Sequence, residues 1–215
     1  MDHDLIESVK KEAKVFFADS NGSHGWDHTE RVLHLCQHIG KKENADLEVL
    51  ELSAILHDIC KPEEMKLKGK ICHATKGALI AKEMLERHSL PKEKIEAVVH
   101  CIETHRNRTD KKPQTLEAKI LFDSDKIDSL GAIGVGRLFM SANGYNAKLH
   151  NDKNTDLEKV KEYTEDDTAY REFHLYQRKH PEKMFTAEAK KLASERIKFM
   201  EEFFARMNKE IDGEL

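Results

Sequence analysis

Glycine and proline are scarce: ten Gly and four Pro in 215 residues, against roughly 12% for the pair in an average protein. A β-sandwich with many tight turns is therefore not expected. Cysteine is limited to Cys36, Cys60, Cys72 and Cys101, without a CxxC pair. Reduced thiols in a cytoplasm are the plain reading. No apolar run approaches the ~18 residues of a membrane span, and the opening MDHDLIESVKKEAK has no signal-peptide core. A soluble cytoplasmic protein without a membrane partner is expected. An excess of basic charge is missing too: 36 Lys and Arg stand against 40 Asp and Glu, a net −4. That balance argues against a general nucleic-acid partner.

Charge and histidine are plentiful instead, with 35% charged residues and 13 histidines. The length suits one domain, or one domain plus an extension, at about 150 residues per domain. Apolar residues recur at helical spacing almost throughout. Residues 4–19 place Leu5, Ile6, Val9, Ala13, Phe16 and Phe17 on one stripe, which the polar break 19–23 ends. A second helix is predicted from about Asp27 to Gly40, with Val32, Leu35, Cys36 and Ile39 inward, Asp27 as N-cap and Gly40 as stop. Asp46 opens a third, whose Leu50, Ala54 and Ile55 lead to His57-Asp58, and Pro62 closes that region. Further helices are predicted over 74–88, after Pro91, and from Thr115 to Asp125. Gly131, Gly134 and Gly136 punctuate another, expected to pack closely on a neighbour. Residues 61–70 read as a solvated loop, 107–114 as a polar loop and 186–209 as a long helix. The expected architecture is all-α, with a metal-binding helical domain over 1–145 and a helical extension over 146–215 packed on it.

Chemistry concentrates around Ala54-Ile55-Leu56-His57-Asp58-Ile59. Adjacent helical residues point about 100° apart. His57 and Asp58 can therefore share one ion only at the helix end or in the wedge between their directions. His24-Gly25-Trp26-Asp27-His28 sets a histidine at a helix start, and Asp123-Ser124-Asp125-Lys126-Ile127-Asp128 sets carboxylates on an otherwise apolar helix. Imidazoles and carboxylates together make a mixed N/O donor set that suits Mn, Fe, Co, Ni or Zn. Such an ion activates water and polarises a phosphoryl oxygen, which phosphoester or phosphoanhydride hydrolysis requires.

These motifs, with Gly131-Ala132-Ile133-Gly134 after the last, resemble the HD-domain metal-dependent phosphohydrolase superfamily over about residues 20–140. The resemblance is to small single-domain members, among them nucleoside triphosphate pyrophosphohydrolases and nucleoside monophosphatases. It implies an antiparallel helical bundle with a central site, whose metal ligands are His28, His57, Asp58 and Asp125. Asp58 is the candidate base. Lys61 is favoured as a phosphate-binding and catalytic residue by the spacing His-Asp-x-x-Lys. Arg31, on the helix face of His28, and Lys126 are further phosphate candidates. Asp27, Asp123 and Asp128 are expected to orient ligands, although Asp27 serves equally as a simple cap. His73 and His105 match positions that bind a second ion in dinuclear members, or else line the pocket.

One ion is expected, with room for two. The implied partner is a small phosphorylated molecule, a nucleotide above all, acted on by a monomer or homodimer. Docking of the C-terminal apolar stripe on its own bundle is favoured over a dimer seam. The alternatives are a cyclic nucleotide or dinucleotide phosphodiesterase, which loses ground because the HHE…GYP signature of cyclic di-GMP phosphodiesterases is absent, and an HD-type di-iron oxygenase, which needs both His73 and His105.

Overall fold

The computed structural model describes residues 3–18, 24–106 and 111–215. Among these every regular element is helical and none is a strand. The polar break at 19–23 and residues 107–110 of the expected loop lie outside them. No described helix is long and apolar enough to cross a membrane. The chain divides into two compact units, Met1–Asp125 and Lys126–Leu215.

The first unit holds α1 (His3–Lys14), a 3-10 turn (Val15–Phe17), α2 (Trp26–Glu43), α3 (Leu47–Leu56), α4 (Lys61–Lys66), α5 (His73–Arg87), α6 (Lys92–Thr104) and most of α7 (Leu116–Ile127). Helix α3 is its axis. Every residue from Val49 to Leu56 is buried, which is the pattern of a helix wrapped by protein on all sides. Helices α1, α2, α5 and α6 all pack on it. Asp46 caps it as expected, accepting bonds from the backbone N–H groups of Glu48 and Val49 at 2.9 and 3.2 Å. Gly40 does not stop α2. A Cβ there would lie 2.5 Å from Leu50 Cδ1 and 2.9 Å from Leu47 Cδ2, so its role is to let α2 and α3 approach. The helix runs on to Asn44, whose left-handed φ of 57° ends it.

Three other local expectations are corrected. Gly25, not Asp27, is the N-cap of α2, and Asp27 sits in the first turn. Pro62 opens a helix rather than closing one, because it occupies the first turn of α4, where a missing N–H costs nothing. The solvated loop expected at 61–70 thus begins as a helix that buries Glu64. Phe16 leaves the α1 stripe: the tight 3-10 turn brings Phe17 inward and leaves Phe16 38% exposed. Cys36, Cys60 and Cys101 are buried thiols and Cys72 a half-buried one, all unbridged.

The second unit contains α8 (Gly131–Asn143), α9 (Ala169–Leu175), a 3-10 turn (Gln177–Lys179), α10 (His180–Lys183) and α11 (Ala187–Ile211). Gly131 adopts φ +73°, and a Cβ there would press on the Arg196 side chain at 3.1 Å. Helix α11 buries Ala189, Ala193, Ile197, Met200 and Phe204. Phe204 stacks on Phe173 at 4.9 Å. Phe199 on the same helix is 45% exposed. The polar stretch before α9 is organised by one buried guanidinium. Arg171 donates to Leu157 O at 2.9 Å, to Val160 O at 2.9 Å and to Asp167 Oδ1 at 2.7 Å. Removing it would strand a buried carboxylate and two carbonyls. Arg171→Ala is expected to cost about 3 kcal/mol, read as a lower urea midpoint in equilibrium unfolding.

Candidate metal centre

Helix α3 ends at Leu56, and His57 follows as its C-cap with φ −60° and ψ −39°. Asp58 lies beyond the helix, in a turn closed by Lys61 N–H to Asp58 O at 2.8 Å. The pair thus sits at the helix end, one of the two places where adjacent residues can share an ion, and faces residues from α2, α5, α6 and α7.

The geometry centres on the Asp58 carboxylate, which is 4% exposed. Its Oδ2 faces His24 Nδ1 at 3.4 Å, His28 Nε2 at 3.8 Å and His57 Nε2 at 3.8 Å. Its Oδ1 faces His73 Nε2 at 3.3 Å and His105 Nε2 at 3.5 Å. On the first side His28 Nε2 also lies 3.3 Å from His57 Nε2 and 3.4 Å from Asp125 Oδ1. Among the described residues three donor groups form, each with ligand atoms within 4.8 Å of one another: His24, His28 and Asp58; His28, His57 and Asp125; and Asp58, His73 and His105.

Proton placement shows that these atoms suit a cation. His57 Nδ1 lies 2.7 Å from Ala54 O, and His105 Nδ1 lies 2.6 Å from Ile102 O. His73 Nδ1 lies 2.9 Å from Glu64 Oε2. Each partner is an acceptor, so each ring donates from Nδ1 and, when neutral, has a lone pair at Nε2. Burial pushes the pKa of both His57 and His73 down to about 4. His73 Nε2 and His105 Nε2 stand 3.1 Å apart, an opposition of lone pairs that a cation relieves. Burial works against charge on Asp58, while proton charge on the surrounding rings, His57 first and then hydrogen bonds from His105 and His24, draws its pKa well below the usual carboxylate range; with those rings neutral, a cation takes over that role. The donor set fits a divalent transition ion.

The other expected residues are distributed unevenly. Lys61 borders the centre and donates to Glu64 Oε2 at 2.7 Å. Arg31 is on α2 and donates to Asp27 Oδ2 at 2.6 Å, where the Asp27 side chain is 67% exposed. Asp123 is fully buried in α7. Asp128 and Lys126 belong to the second unit, where Asp128 is buried against Arg137. His100 accepts from the Gln114 N–H at 3.1 Å. Glu64, Arg106 and Cys72 were missed. Arg106 Nη1 donates to Glu64 Oε1 at 2.8 Å and lies 3.5 Å from Cys72 Sγ. Burial pushes the Cys72 thiol up, but the Thr75 bonds and Arg106 bring it down to about 7.

The HD-domain family model matches residues 25–130. The chain is 28% identical over 211 residues to the Bacillus subtilis (strain 168) protein YpgQ, covering 96% of this chain and 94% of that one. The chain belongs to the HD-domain superfamily of hydrolases. A crystal structure of B. subtilis YpgQ in complex with ADP matches this HD hydrolase with TM-score 0.74 at 26% identity, over 96% of this chain and 95% of that one. An HD-superfamily hydrolase from Bacillus thuringiensis shares the fold, with TM-score 0.77 at 24% identity over 99% of both chains.

Two outcomes follow for the HD hydrolase. Mn²⁺ at about 100 times its Kd is expected to raise stability by about 2.7 kcal/mol. Asp58→Ala should abolish that gain in thermal melts. Without metal, acid should destabilise the fold. Between the ordinary histidine value of 6.5 and the folded value of about 4, the unfolded chain takes up protons that His57 and His73 refuse. The urea midpoint of chelator-treated protein is expected to be lower at pH 5 than at pH 7.

Proposed function

We propose that this HD hydrolase is a metal-dependent nucleotide phosphohydrolase, cleaving a nucleoside triphosphate to a monophosphate and pyrophosphate, or a monophosphate to orthophosphate. The observation that carries the reading is the convergence of imidazole and carboxylate donors on Asp58, with a lysine at their edge. His28, His57, Asp58 and Asp125 would hold the ion. A divalent cation there supplies Lewis acidity toward water and toward a phosphoryl oxygen.

The chain's own residues do the remaining work. Asp58 is charged, buried and within reach of five imidazoles, so it can accept a proton from an attacking water. His57, His73 and His105 hold fixed directions through their Nδ1 donors. Lys61 and Arg106, both anchored on Glu64, bring two positive charges against one carboxylate. The surplus favours an anionic substrate. Arg31, also a candidate for the phosphates, is held by Asp27. The ADP complex of YpgQ supports a nucleotide over other phosphate esters.

A second reading is favoured by one feature. The Asp58–His73–His105 group completes the six-residue set that a di-iron oxygenase needs. Anaerobic iron loading with at most one iron per chain would remove it.

The test is metal-stripped protein reloaded with Mn²⁺ and offered nucleoside mono-, di- and triphosphates, with products followed by ³¹P NMR. Pyrophosphate from a triphosphate is expected, and Asp58→Ala should abolish it. Lys61→Ala should lower kcat/KM by about 10-fold or more, the scale of one charged hydrogen bond. Release of neither pyrophosphate nor orthophosphate by the metal-loaded protein would overturn the reading.

A further inference from the structure

Glu64 is not a ligand in any of the three donor groups, yet it is only 4% exposed and both its oxygens are engaged. Oε2 accepts from His73 Nδ1 at 2.9 Å and from Lys61 Nζ at 2.7 Å. Oε1 accepts from Arg106 Nη1 at 2.8 Å and from the His73 backbone N–H at 3.4 Å. The local sequence explains this placement. Pro62 starts α4, the Glu64 N–H closes its first turn onto Cys60 O at 3.0 Å, and α4 packs on the start of α5, where His73 is the first residue.

A carboxylate that takes the Nδ1 hydrogen of an imidazole fixes the ring's tautomer and direction and makes the opposite nitrogen a stronger donor to a metal. For His73 that opposite nitrogen is the one 3.3 Å from Asp58 Oδ1 and 3.1 Å from His105 Nε2. His57 and His105 are oriented by neutral backbone carbonyls, those of Ala54 and Ile102. His73 differs from both in having a charged acceptor. Lys61 Nζ and Arg106 Nη1 both donate to that acceptor and pair its charge.

We propose that Glu64 is a positioning residue that makes the Asp58–His73–His105 side of the centre a second divalent-cation position. This rests on the reading of the centre as cation-dependent and adds which residue governs the second ion. A buried acid serving only the fold would anchor Lys61 and Arg106 and leave cation binding at His73 untouched.

The experiment uses the full chain with Glu64→Gln and Glu64→Ala. Mn²⁺ binding is counted from the EPR signal of the free ion, and His73 is followed by long-range ¹H–¹⁵N correlation on ¹⁵N-histidine protein. Two ions are expected on the wild type. Both variants should bind the second about 10- to 100-fold more weakly and leave the first unchanged. Glu64→Ala should also lose the single Nδ1–H tautomer of His73. If Glu64→Ala fails to fold, Glu64→Gln decides alone, because it keeps the shape and removes the charge. Wild-type affinity for two ions in the folded variants overturns the proposal, as does one ion on the wild type. Nucleotide hydrolysis is assayed on the same samples. Two ions without hydrolysis would sink the phosphohydrolase reading and leave Glu64's role standing. Hydrolysis with a single ion would do the reverse.

Discussion

A carboxylate taken out of water at the end of an apolar helix is the constraint from which the rest of this site follows. Burying one ionised carboxylate carries an effective penalty of several kcal/mol, even after relaxation. Asp58 is buried and ionised nonetheless. Its oxygens are ringed by five imidazoles from different parts of the first unit. His57, His73 and His105, when neutral, turn their Nε2 lone pairs toward that carboxylate and offset none of its charge, so that task falls to a bound cation. Apolar packing around α3 therefore does two jobs. It holds the first unit together, and it lowers the local dielectric so that attraction to a cation is strong.

Outside the ligands lies a second arrangement with its own logic. Each of three rings gives its Nδ1 hydrogen to a fixed acceptor, two of them backbone carbonyls three residues earlier in the chain. The third acceptor, Glu64, comes from a neighbouring short helix. The same carboxylate ties down Lys61 and Arg106. The direction of His73 and the surrounding positive charge are thus set by one side chain, which lies outside the H…HD…D pattern.

The sequence disclosed the helices well because their apolar periodicity is strong, and it disclosed the motif residues because their types are chemically unusual inside apolar helices. His28, His57 and Asp125 fall in one donor group, Asp58 faces both of those histidines without joining that group, and His73 and His105 lie around the other oxygen of Asp58. What stayed hidden depended on tertiary context. Glu64 looked solvated because its neighbours Glu63, Lys66 and Lys68 are polar. Only the short helix opened by Pro62 turns it inward. Asp27 carries the side chain of a good cap, but Gly25 holds the extended conformation that the cap position needs. Phe16 fits the apolar stripe of the first helix by type, but the 3-10 turn after that helix sends Phe17 inward instead. Spacing locates a helix, while its exact rotation is settled by what packs against it.

The locked Nδ1 hydrogens carry one further consequence. Rings already held in their binding orientation lose little conformational freedom when an ion arrives, so little of the binding free energy is consumed in ordering them. A preorganised cage of this kind cannot contract or widen freely. It will discriminate among ions by radius and preferred geometry, and a cation of the right charge but the wrong size will bind with its ligands at strained distances.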